Sequence, residues 1–411
     1  MNAPRAPLMN LDDALSSLLA HAQPLSGVDD ISTFEADGRV LTQDLVAQLQ
    51  VPPNDNSSMD GYAVRSAEVA GGALLPVSQR IPAGGVALPL AAGSVARIFT
   101  GAPVPQGADA VVMQEACEVQ GEQVRVLEAP KAGQWIRRAG EDVTQGAVVL
   151  SKGERLSPAS LGLAASLGLA SLPVARRPKV ALFSTGDELV MPGDIAPADM
   201  RPGAIYNSNR FFLRALLLRL GCEVSDLGIV PDKREATVQA LQQAAEHHDL
   251  ILTSGGVSVG EEDHIKPAVQ QLGELDLWQI GMKPGKPFAY GKVKHATRAA
   301  HFIGLPGNPV SSFVTFALLV RPFVLKLQGA AQLQVPVSAL PAHFDWPRAD
   351  KRREFLRVRR NAQGGLDLFP NQSSGVLTSA VWADGVVDNP AGATIARGDL
   401  VRYIAWSALM A

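Results

Sequence analysis

Three segments of the chain combine glycine with hydroxyl side chains in a pattern that could bind phosphate. They lie at residues 184–188, 253–263 and 304–312. Glycine lets backbone N–H groups approach a ligand closely, and the start of a following helix offers unpaired donors and about half a positive charge. An ordinary strand–helix turn would explain any one of these loops. Three of them in one sheet favour a shared anion site.

Each of these loops is predicted to follow a strand and to precede a helix. In open parallel sheets, ligands bind outside the carboxyl ends of the strands, where the connections diverge. The candidate substrate-binding residues in the three loops are Ser184, Thr185, Gly186, Ser254, Gly255, Gly256, Ser258, Gly260, Pro306, Gly307, Asn308 and Ser311.

A fourth segment, residues 282–287, places two lysines in a turn that contains two prolines. A rigid turn can present the ammonium groups of Lys283 and Lys286 in fixed positions, whereas free surface lysines lose side-chain entropy when they bind. The segment is not a magnesium-binding P-loop, because Pro287 stands where that motif needs serine or threonine. Two solvated lysines in a tight turn are the alternative interpretation.

Carboxylates near the loops could hold a cation beside a polyphosphate. Mg²⁺, bound through water and phosphate oxygens, suits that position. Glu188 and Asp263 are the favoured metal ligands, because each directly follows a glycine-bearing turn. Asp232, with Glu235 three residues later, is explained equally well as the capping box of a helix.

Composition excludes several classes of protein. The 37 basic and 40 acidic side chains leave a net charge of −3, which argues against a nucleic-acid partner. The 46% of apolar residues and 19% of charged residues argue against disorder. Two cysteines cannot build a disulfide framework or a four-cysteine zinc site. No membrane partner is expected, and without a secretory signal pattern the default location is the cytoplasm.

The elements that must position the loops begin near residue 178. The predicted strands are 179–186, 222–230, 249–255 and 301–307. The predicted helices between and after them are 207–220, 233–247, a short one near 266–272, and 309–328. This alternation predicts a doubly wound, mainly parallel sheet with right-handed crossovers.

The whole chain is therefore predicted to be a multidomain α/β protein. At 411 residues it should contain two or three domains. The predicted units are a discontinuous helical or linker domain (1–26 and 146–177), a mostly β inserted module (27–145), the α/β domain (178–328) and a small carboxy-terminal β domain (329–411).

Eight sequence blocks occur in a fixed order over nearly the whole chain. They are SSMDGYAV at 57–64, RIFTGAPVPQGADAVV at 97–112, GED at 140–142, STGDELV at 184–190, SNR at 208–210, SGGVSVGEEDHIK at 254–266, MKPGKPFAYG at 282–291 and GLPGNPVSS at 304–312. Taken alone, the Asp-Gly and Thr-Gly pairs of the first two blocks would indicate hairpin turns. Together, the blocks resemble the molybdopterin molybdenumtransferases, the bacterial MoeA proteins, which are similar to the E domain of gephyrin and to the plant Cnx E domain.

The resemblance implies a reaction in the last step of molybdenum cofactor biosynthesis. Adenylylated molybdopterin and molybdate, both substrates, would give the molybdenum-bearing cofactor and AMP, with Mg²⁺ as the metal. It also implies that the α/β domain is a MoaB/Mog-like molybdopterin-binding domain. The partners implied are a second copy of the chain, the adenylyltransferase and molybdoenzyme chaperones. In the elongated homodimer, the cleft would lie between the α/β domain of one subunit and the β module of the other.

The functional residues implied by the resemblance come from several of these blocks. The catalytic positions would be Asp60, Thr100, Asp142, Glu188, Asp232, Asp263, Lys283 and Lys286, and the carboxy-terminal region would add Arg353 and Ser374 as substrate-binding positions. The chain departs from the family near residues 372–380, where Ser373 replaces the usual glycine of a QGSG stretch.

Two other functions fit parts of the chain. An α/β domain of this type could instead adenylylate molybdopterin, but the complete β module and terminal domain argue against that activity. A non-catalytic scaffold like gephyrin is the second alternative. The presence of the acids and of both lysines argues against pure scaffolding.

Overall fold

Three six-stranded sheets dominate the described part of the chain. A computed structural model describes residues 8–256, 264–296 and 298–410. One sheet lies in the inserted β module, one in the α/β region and one near the carboxy terminus.

The amino-terminal region contains the inserted sheet. Its helices are α1 (Leu11–His21), α2 (Ser66–Val69) and α3 (Pro158–Ser166). Its strands are β1 (Val28–Ser32), β2 (Leu45–Val46), β3 (Asn56–Ser57), β4 (Gly61–Val64), β5 (Leu74–Ile81), β6 (Val95–Ile98), β7 (Ala110–Met113), β8 (Cys117–Gln120), β9 (Gln123–Val126), β10 (Ile136–Arg137), β11 (Val148–Leu150) and β12 (Ser171–Ala175). The sheet order is β7-β4-β6-β5-β9-β8.

The segments that flank this sheet pair with each other. Strand β1 pairs with β12, and β2 pairs with β11. Residues 28–46 therefore lie beside residues 148–175 and outside the six-stranded sheet, although the sequence grouped them with the β module. The two ends of an inserted module must return to neighbouring positions, and these short pairings join them. The domain limits themselves stay predictions.

Asn10 caps the start of helix α1. The Asn10 side chain accepts a hydrogen bond from the Asp12 N–H at 2.8 Å, which satisfies one of the unpaired donors of the first turn. Leu11, Ala14 and Leu18 are buried on one face of the helix. They join the same hydrophobic cluster as residues of the α/β region, so α1 belongs to that core and not to the β module.

The α/β region contains the sheet that carries the predicted loops. Its strands are β13 (Lys179–Thr185), β14 (Leu189–Val190), β15 (Ile205–Tyr206), β16 (Glu223–Val230), β17 (Leu250–Ser254), β18 (Gly273–Gln279), β19 (Met282–Lys283), β20 (Pro287–His295) and β21 (Arg298–Leu305). Its helices are α4 (Asn209–Arg219), α5 (Arg234–His247), α6 (Ile265–Leu272), α7 (Pro309–Thr315) and α8 (Arg321–Leu327).

The central strands of this sheet are parallel, as predicted. The order is β16-β13-β17-β21-β20-β18, and the first four strands run parallel to one another. All five residues of β17 are buried, as expected for a strand covered on both faces. Strands β20 and β18 extend the sheet in antiparallel fashion, an extension that the sequence analysis did not predict.

One continuous helical stretch runs from Pro309 to Leu327. A π-helical segment, Phe316–Val320, joins α7 to α8 just before Pro322, which has no N–H to donate. Within the described residues, this stretch has the length and composition to cross a bilayer, but 89% of it is buried inside the protein. Such burial is typical of the core helix of a packed domain.

The carboxy-terminal sheet reaches into the predicted lysine turn. Its strands and helices are β22 (Ser338–Pro341), β23 (Arg353–Arg360), β24 (Leu366–Leu368), α9 (Thr378–Trp382), β25 (Gly385–Asn389), β26 (Leu400–Ala405) and α10 (Trp406–Met410). The sheet order is β19-β23-β25-β26-β22, and β24 also pairs with β23. Because β19 contains Lys283, the lysine turn is attached to this sheet.

A partly buried histidine makes the stability of the protein depend on pH. Burial lowers the pKa of His301 from 6.5 to about 4, helped by the nearby Lys292 and His21. The neutral Nδ1 lies 2.9 Å from the Tyr290 hydroxyl. Between pH 6.5 and about pH 4, this histidine binds a proton in the unfolded chain but not in the folded chain. We expect the free energy of unfolding to fall by up to roughly 3 kcal/mol as the pH drops through this window.

Urea unfolding at pH 7 and at pH 5 measures this effect. His301→Gln should flatten the pH dependence, whereas His247→Gln, which changes an exposed histidine, should leave it as in the wild type. An unchanged pH dependence in His301→Gln would show that another group causes it.

Candidate active site

The carboxyl ends of three parallel strands open into one cavity of about 700 Å³. The loops after β13, β17 and β21 all contribute to its wall, as the sequence predicts. The predicted residues in the wall are Ser184, Thr185, Glu188, Ser254, Gly255, Pro306, Gly307, Asn308 and Ser311. The remaining wall residues are Leu189, Ile205, Tyr206, Asn207, Ser208, Asn209, Pro287, Pro309, Gly375 and Leu377.

Two predicted glycines shape the loops without lining the cavity. A side chain at Gly186 would place its Cβ 2.5 Å from Oε2 of Glu188, and the backbone φ there is +140°. At Gly256 a Cβ would lie 2.5 Å from Ile265, with φ at +66°. Both positions therefore require glycine for the course of the backbone.

A buried asparagine joins the second and third loops. The Nδ2 atom of Asn209 donates to Ser254 Oγ and to the Gly307 carbonyl, each at 2.7 Å. Asn209 is buried at the start of α4. It was not among the predicted site residues, although it lies in the SNR block, which was the available signal.

We expect Asn209→Ala to loosen both loops. The change leaves the buried Ser254 hydroxyl and the Gly307 carbonyl without this donor, so the free energy of unfolding should fall by about 1–3 kcal/mol. Affinity for phosphate ligands should fall as well. Chemical denaturation measures the first effect and calorimetric titration with AMP the second, and Asn361→Ala serves as a control because its hydrogen bonds lie in the carboxy-terminal domain. Unchanged stability together with unchanged affinity would contradict the joining role.

Two buried polar atoms in the cavity wall have no hydrogen-bond partner in the described part of the chain. Ser184 Oγ and Asn207 Nδ2 are both buried, and neither has a hydrogen-bond partner among the residues that the structure describes. A buried polar atom without a partner costs about 1–3 kcal/mol, so such atoms are usually met by water or a ligand. The cavity wall is therefore suited to binding a polar ligand.

Glu188 supplies a carboxylate to the wall. Its side chain is exposed to the cavity. Within the described residues no group of three histidine, cysteine, aspartate or glutamate side chains could hold a metal ion. Mg²⁺ needs no such group, because it binds one or two carboxylates and takes its remaining ligands from water and substrate phosphates. One carboxylate beside a phosphate-binding wall fits that pattern.

The two lysines of the 282–287 turn have different surroundings. The Lys283 ammonium lies 3.0 Å from Glu354 Oε1 and 3.3 Å from Asp350 Oδ2. Lys286 precedes Pro287, which lines the cavity, and no carboxylate of residues 8–256, 264–296 or 298–410 lies within ion-pair distance of it. Neither lysine lines the cavity, but only the Lys283 ammonium is held by carboxylates of the described residues.

The structure does not bring Arg353 to the cavity. Its guanidinium pairs with the buried Asp388 at 2.5 Å and with Asp12 of α1 at 3.0 Å, and these carboxylates raise the pKa of Arg353. These two ion pairs of Arg353 connect α1 to the carboxy-terminal sheet. Ser374, by contrast, is brought to the third loop, because its carbonyl accepts the Val310 N–H at 2.9 Å.

A buried arginine that the sequence analysis missed lies behind this carboxy-terminal loop. Arg357 is 1% exposed and donates to Phe355 O at 3.0 Å, Ser379 Oγ at 3.2 Å and Ser373 O at 3.4 Å. No carboxylate of the described chain pairs with it, and burial lowers the pKa of Arg357 to about 10. Its main chain also exchanges two hydrogen bonds with the Gln372 side chain. Arg357 thus holds the loop whose Gly375 and Leu377 line the cavity.

The comparisons with known proteins cover the same regions. Models of the MoeA N-terminal region (domain I and II), of the "Probable molybdopterin binding domain" and of the MoeA C-terminal region (domain IV) match residues 9–168, 181–326 and 339–406. The molybdopterin molybdenumtransferase of Haemophilus influenzae is 40% identical over 389 residues, 93% of either chain. The chain belongs to the MoeA family.

Further relatives support this assignment over the full length. Molybdopterin molybdenumtransferase 2 of Mycobacterium tuberculosis is 38% identical over 371 residues, which cover 87% of this chain and 89% of the relative. The crystal structure of the moeA protein from Pyrococcus horikoshii OT3 superimposes with a TM-score of 0.82 at 28% identity, covering 97% of this chain and 99% of the other. The predicted multidomain α/β fold of a MoeA protein is therefore confirmed.

Several catalytic residues predicted from the MoeA resemblance do not line the cavity of this chain. Asp60 Oδ1 accepts the N–H and the hydroxyl of Thr100, each at 2.7 Å, which lowers the pKa of Asp60. This pair lies in the β module. Asp142 is exposed, and its N–H donates to Val51 O. Ser258, Gly260 and Asp263 lie outside the described residues.

Asp232 is not a helix cap. Helix α5 begins at Arg234 with Lys233 as its N-cap residue, and the side chain at this N-cap position makes no capping hydrogen bond within the described residues. The capping-box interpretation is therefore wrong, because the helix starts one residue later than that motif requires. The Asp232 N–H instead lies 3.4 Å from Asp187 Oδ1, at the end of the first loop.

Proposed function

We propose that this protein inserts molybdenum from molybdate into adenylylated molybdopterin and releases AMP, in the last step of molybdenum cofactor biosynthesis. The observation that carries the proposal is the single cavity into which three glycine-containing loops converge. The relatives named molybdopterin molybdenumtransferase support the reaction class. The protein is accordingly a transferase.

The chain's own groups would bind the substrate through its phosphates. Loop hydroxyls, including that of Ser184, which has no partner among the described residues, and loop amides would donate to phosphate oxygens. Lys286 would add a positive charge close to Pro287 in the wall. As AMP departs, these donors would stabilise the charge that develops on its phosphate.

Glu188 and Asp263 are the proposed ligands of Mg²⁺. When bound, Mg²⁺ would neutralise part of the negative charge on the phosphates. Glu188 would hold it from the cavity wall. The position of Asp263, directly after the second glycine loop in the sequence, supports its inclusion.

Protein cysteines have no part in this proposal. Molybdenum must reach the dithiolene sulfurs of the substrate, so no protein thiolate is required. Burial raises the pKa of the Cys222 thiol to about 12 and that of Cys117 to about 11, which keeps both protonated at neutral pH. Neither residue lines the cavity.

A homodimer would complete the site. Asp60, Thr100 and Asp142 lie in the β module and outside the cavity wall, so we propose that a second copy of the chain presents them to the cavity. Contacts with the adenylyltransferase and with molybdoenzyme chaperones remain predictions of the family resemblance. A cytoplasmic location, without nucleic-acid or membrane partners, also remains a prediction.

The decisive experiment incubates the purified protein with adenylylated molybdopterin, Mg²⁺ and molybdate. The proposal predicts AMP release that depends on molybdate. Tight binding without release would instead favour a scaffold. Consumption of ATP and free molybdopterin would favour adenylylation, although the matches to both the N-terminal and C-terminal MoeA regions count against that function.

A further inference from the structure

An apolar groove of about 460 Å³ lies directly beside the cavity. We call it the aromatic groove. It is formed where the first turn of α4 faces α7 and the carboxy-terminal helix α9. The side chains used below are Tyr206, Ser208, Phe211, Phe212, Phe313 and Val381.

Large hydrophobic side chains are exposed in this groove. Phe211 is 53% exposed and Val381 is 83% exposed. Exposed apolar side chains that line a concave surface are typical of a ligand site, and the volume lies within the ~300–1,000 Å³ of such sites. Among the described residues, none with a charged side chain lines the groove, so it favours a neutral group.

The aromatic groove continues the cavity. Tyr206, Ser208 and Leu377 belong to the walls of both. A single molecule can therefore place a phosphate against the polar loops and an uncharged group in the groove. The polar cavity and the apolar groove match the two ends of such a molecule.

The side chains of the groove suit a flat heterocycle. Phe212 and Phe313 meet edge to face, with ring centroids 5.6 Å apart and planes at 70°. The half-exposed ring of Phe211 offers a face on which a flat ring can stack. The Tyr206 hydroxyl donates to Ile195 O at 2.7 Å and so keeps its lone pairs for a ring N–H, while the Ser208 hydroxyl can donate to or accept from a ring edge.

We propose that the aromatic groove binds the fused bicyclic nitrogen heterocycle, purine or pterin, of a substrate whose phosphate occupies the adjoining cavity. This inference rests on the proposed function and deepens it. Phe211 and its neighbours in the groove would bind the ring, and the loops of the cavity would bind the phosphate.

Calorimetric titration of the full-length protein with three ligands tests the proposal. AMP carries a purine, molybdopterin carries a pterin, and ribose 5-phosphate carries a phosphate without a heterocycle. In Phe211→Ala we expect the affinity for AMP, for molybdopterin or for both to fall roughly tenfold, while ribose 5-phosphate binds within twofold of the wild type. The ligand that loses affinity identifies the ring.

Two further variants control the experiment. Phe34→Ala removes a phenylalanine that is 94% exposed and lies outside the groove, and it should change none of the three affinities. Val381→Asp places a charge in the groove and should weaken the same ring ligands as Phe211→Ala. Both variants alter exposed positions, so they should keep the wild-type melting temperature.

The proposal is overturned if the wild type binds AMP and molybdopterin no more tightly than ribose 5-phosphate. It is equally overturned if both groove variants bind all three ligands as the wild type does. Failure of the proposed reaction has a separate signature, namely no molybdate-dependent AMP release by the wild type, whatever the three affinities are.

Discussion

Glu188→Gln is expected to lower the rate of molybdate-dependent AMP release by roughly a hundredfold or more. The substitution keeps the shape of the side chain but removes the negative charge that Glu188 places in the cavity wall. Losing one electrostatic contributor of an active site typically costs about 10²–10³ in turnover. The assay follows AMP release under saturating molybdate.

The same substitution should leave stability unchanged. Glu188 is exposed, and the structure shows no side-chain hydrogen bond to it from the described residues. The melting temperature should therefore stay within a few degrees of the wild type. Glu235→Gln changes an exposed glutamate on α5, outside the cavity, and should keep wild-type activity and stability. Full activity in Glu188→Gln would remove this residue from the site.

Lys286→Ala is expected to lower turnover by roughly a hundredfold and to weaken phosphate binding. Its ammonium has no carboxylate partner in the described chain, so removing it should cost the fold little. Lys283→Ala is the matched comparison. That change takes an ion-pair partner from Glu354, which is 1% exposed and keeps a hydrogen bond from Trp346 Nε1 at 2.7 Å.

The two lysine variants should separate binding from stability. Lys283→Ala should lower the free energy of unfolding by about 1–3 kcal/mol, since it leaves a buried carboxylate partly unpaired. Lys286→Ala should lower it by less than about 0.5 kcal/mol. Thermal and chemical unfolding measure the stabilities, and titration with AMP measures binding. A destabilised Lys286→Ala with normal AMP affinity would reverse the assignment of roles.

The sequence alone predicts the core of the α/β region well. Strands buried on both faces, such as Leu250–Ser254, have continuous apolar runs, and the helices between them have clear periodicity. Glycine and hydroxyl residues at the carboxyl ends then indicate the cavity, because parallel strands bring these ends to one edge. The convergence of the three loops follows from that topology.

Other features depend on tertiary contacts that no local pattern encodes. Arg353 and Arg357 lie on one strand, four residues apart, so alternation alone assigns them to the same face. Arg353 forms ion pairs because Asp388 lies beside it in the folded protein, and Arg357 supports the cavity because it donates to the Ser373 loop. Likewise, Lys283 and Lys286 look equivalent in the sequence. They differ in the structure because only Lys283 lies on β19, which pairs with β23 of the carboxy-terminal sheet.

A crystal structure of the full-length protein with AMP and molybdate is the most direct test of the claim that the three loops bind the phosphate of the substrate. We expect phosphate density inside the cavity, with oxygens within hydrogen-bonding distance of Ser184 Oγ, Asn207 Nδ2 and amides of the 304–312 loop. Phosphate density elsewhere on the protein, with only water in the cavity, would contradict it.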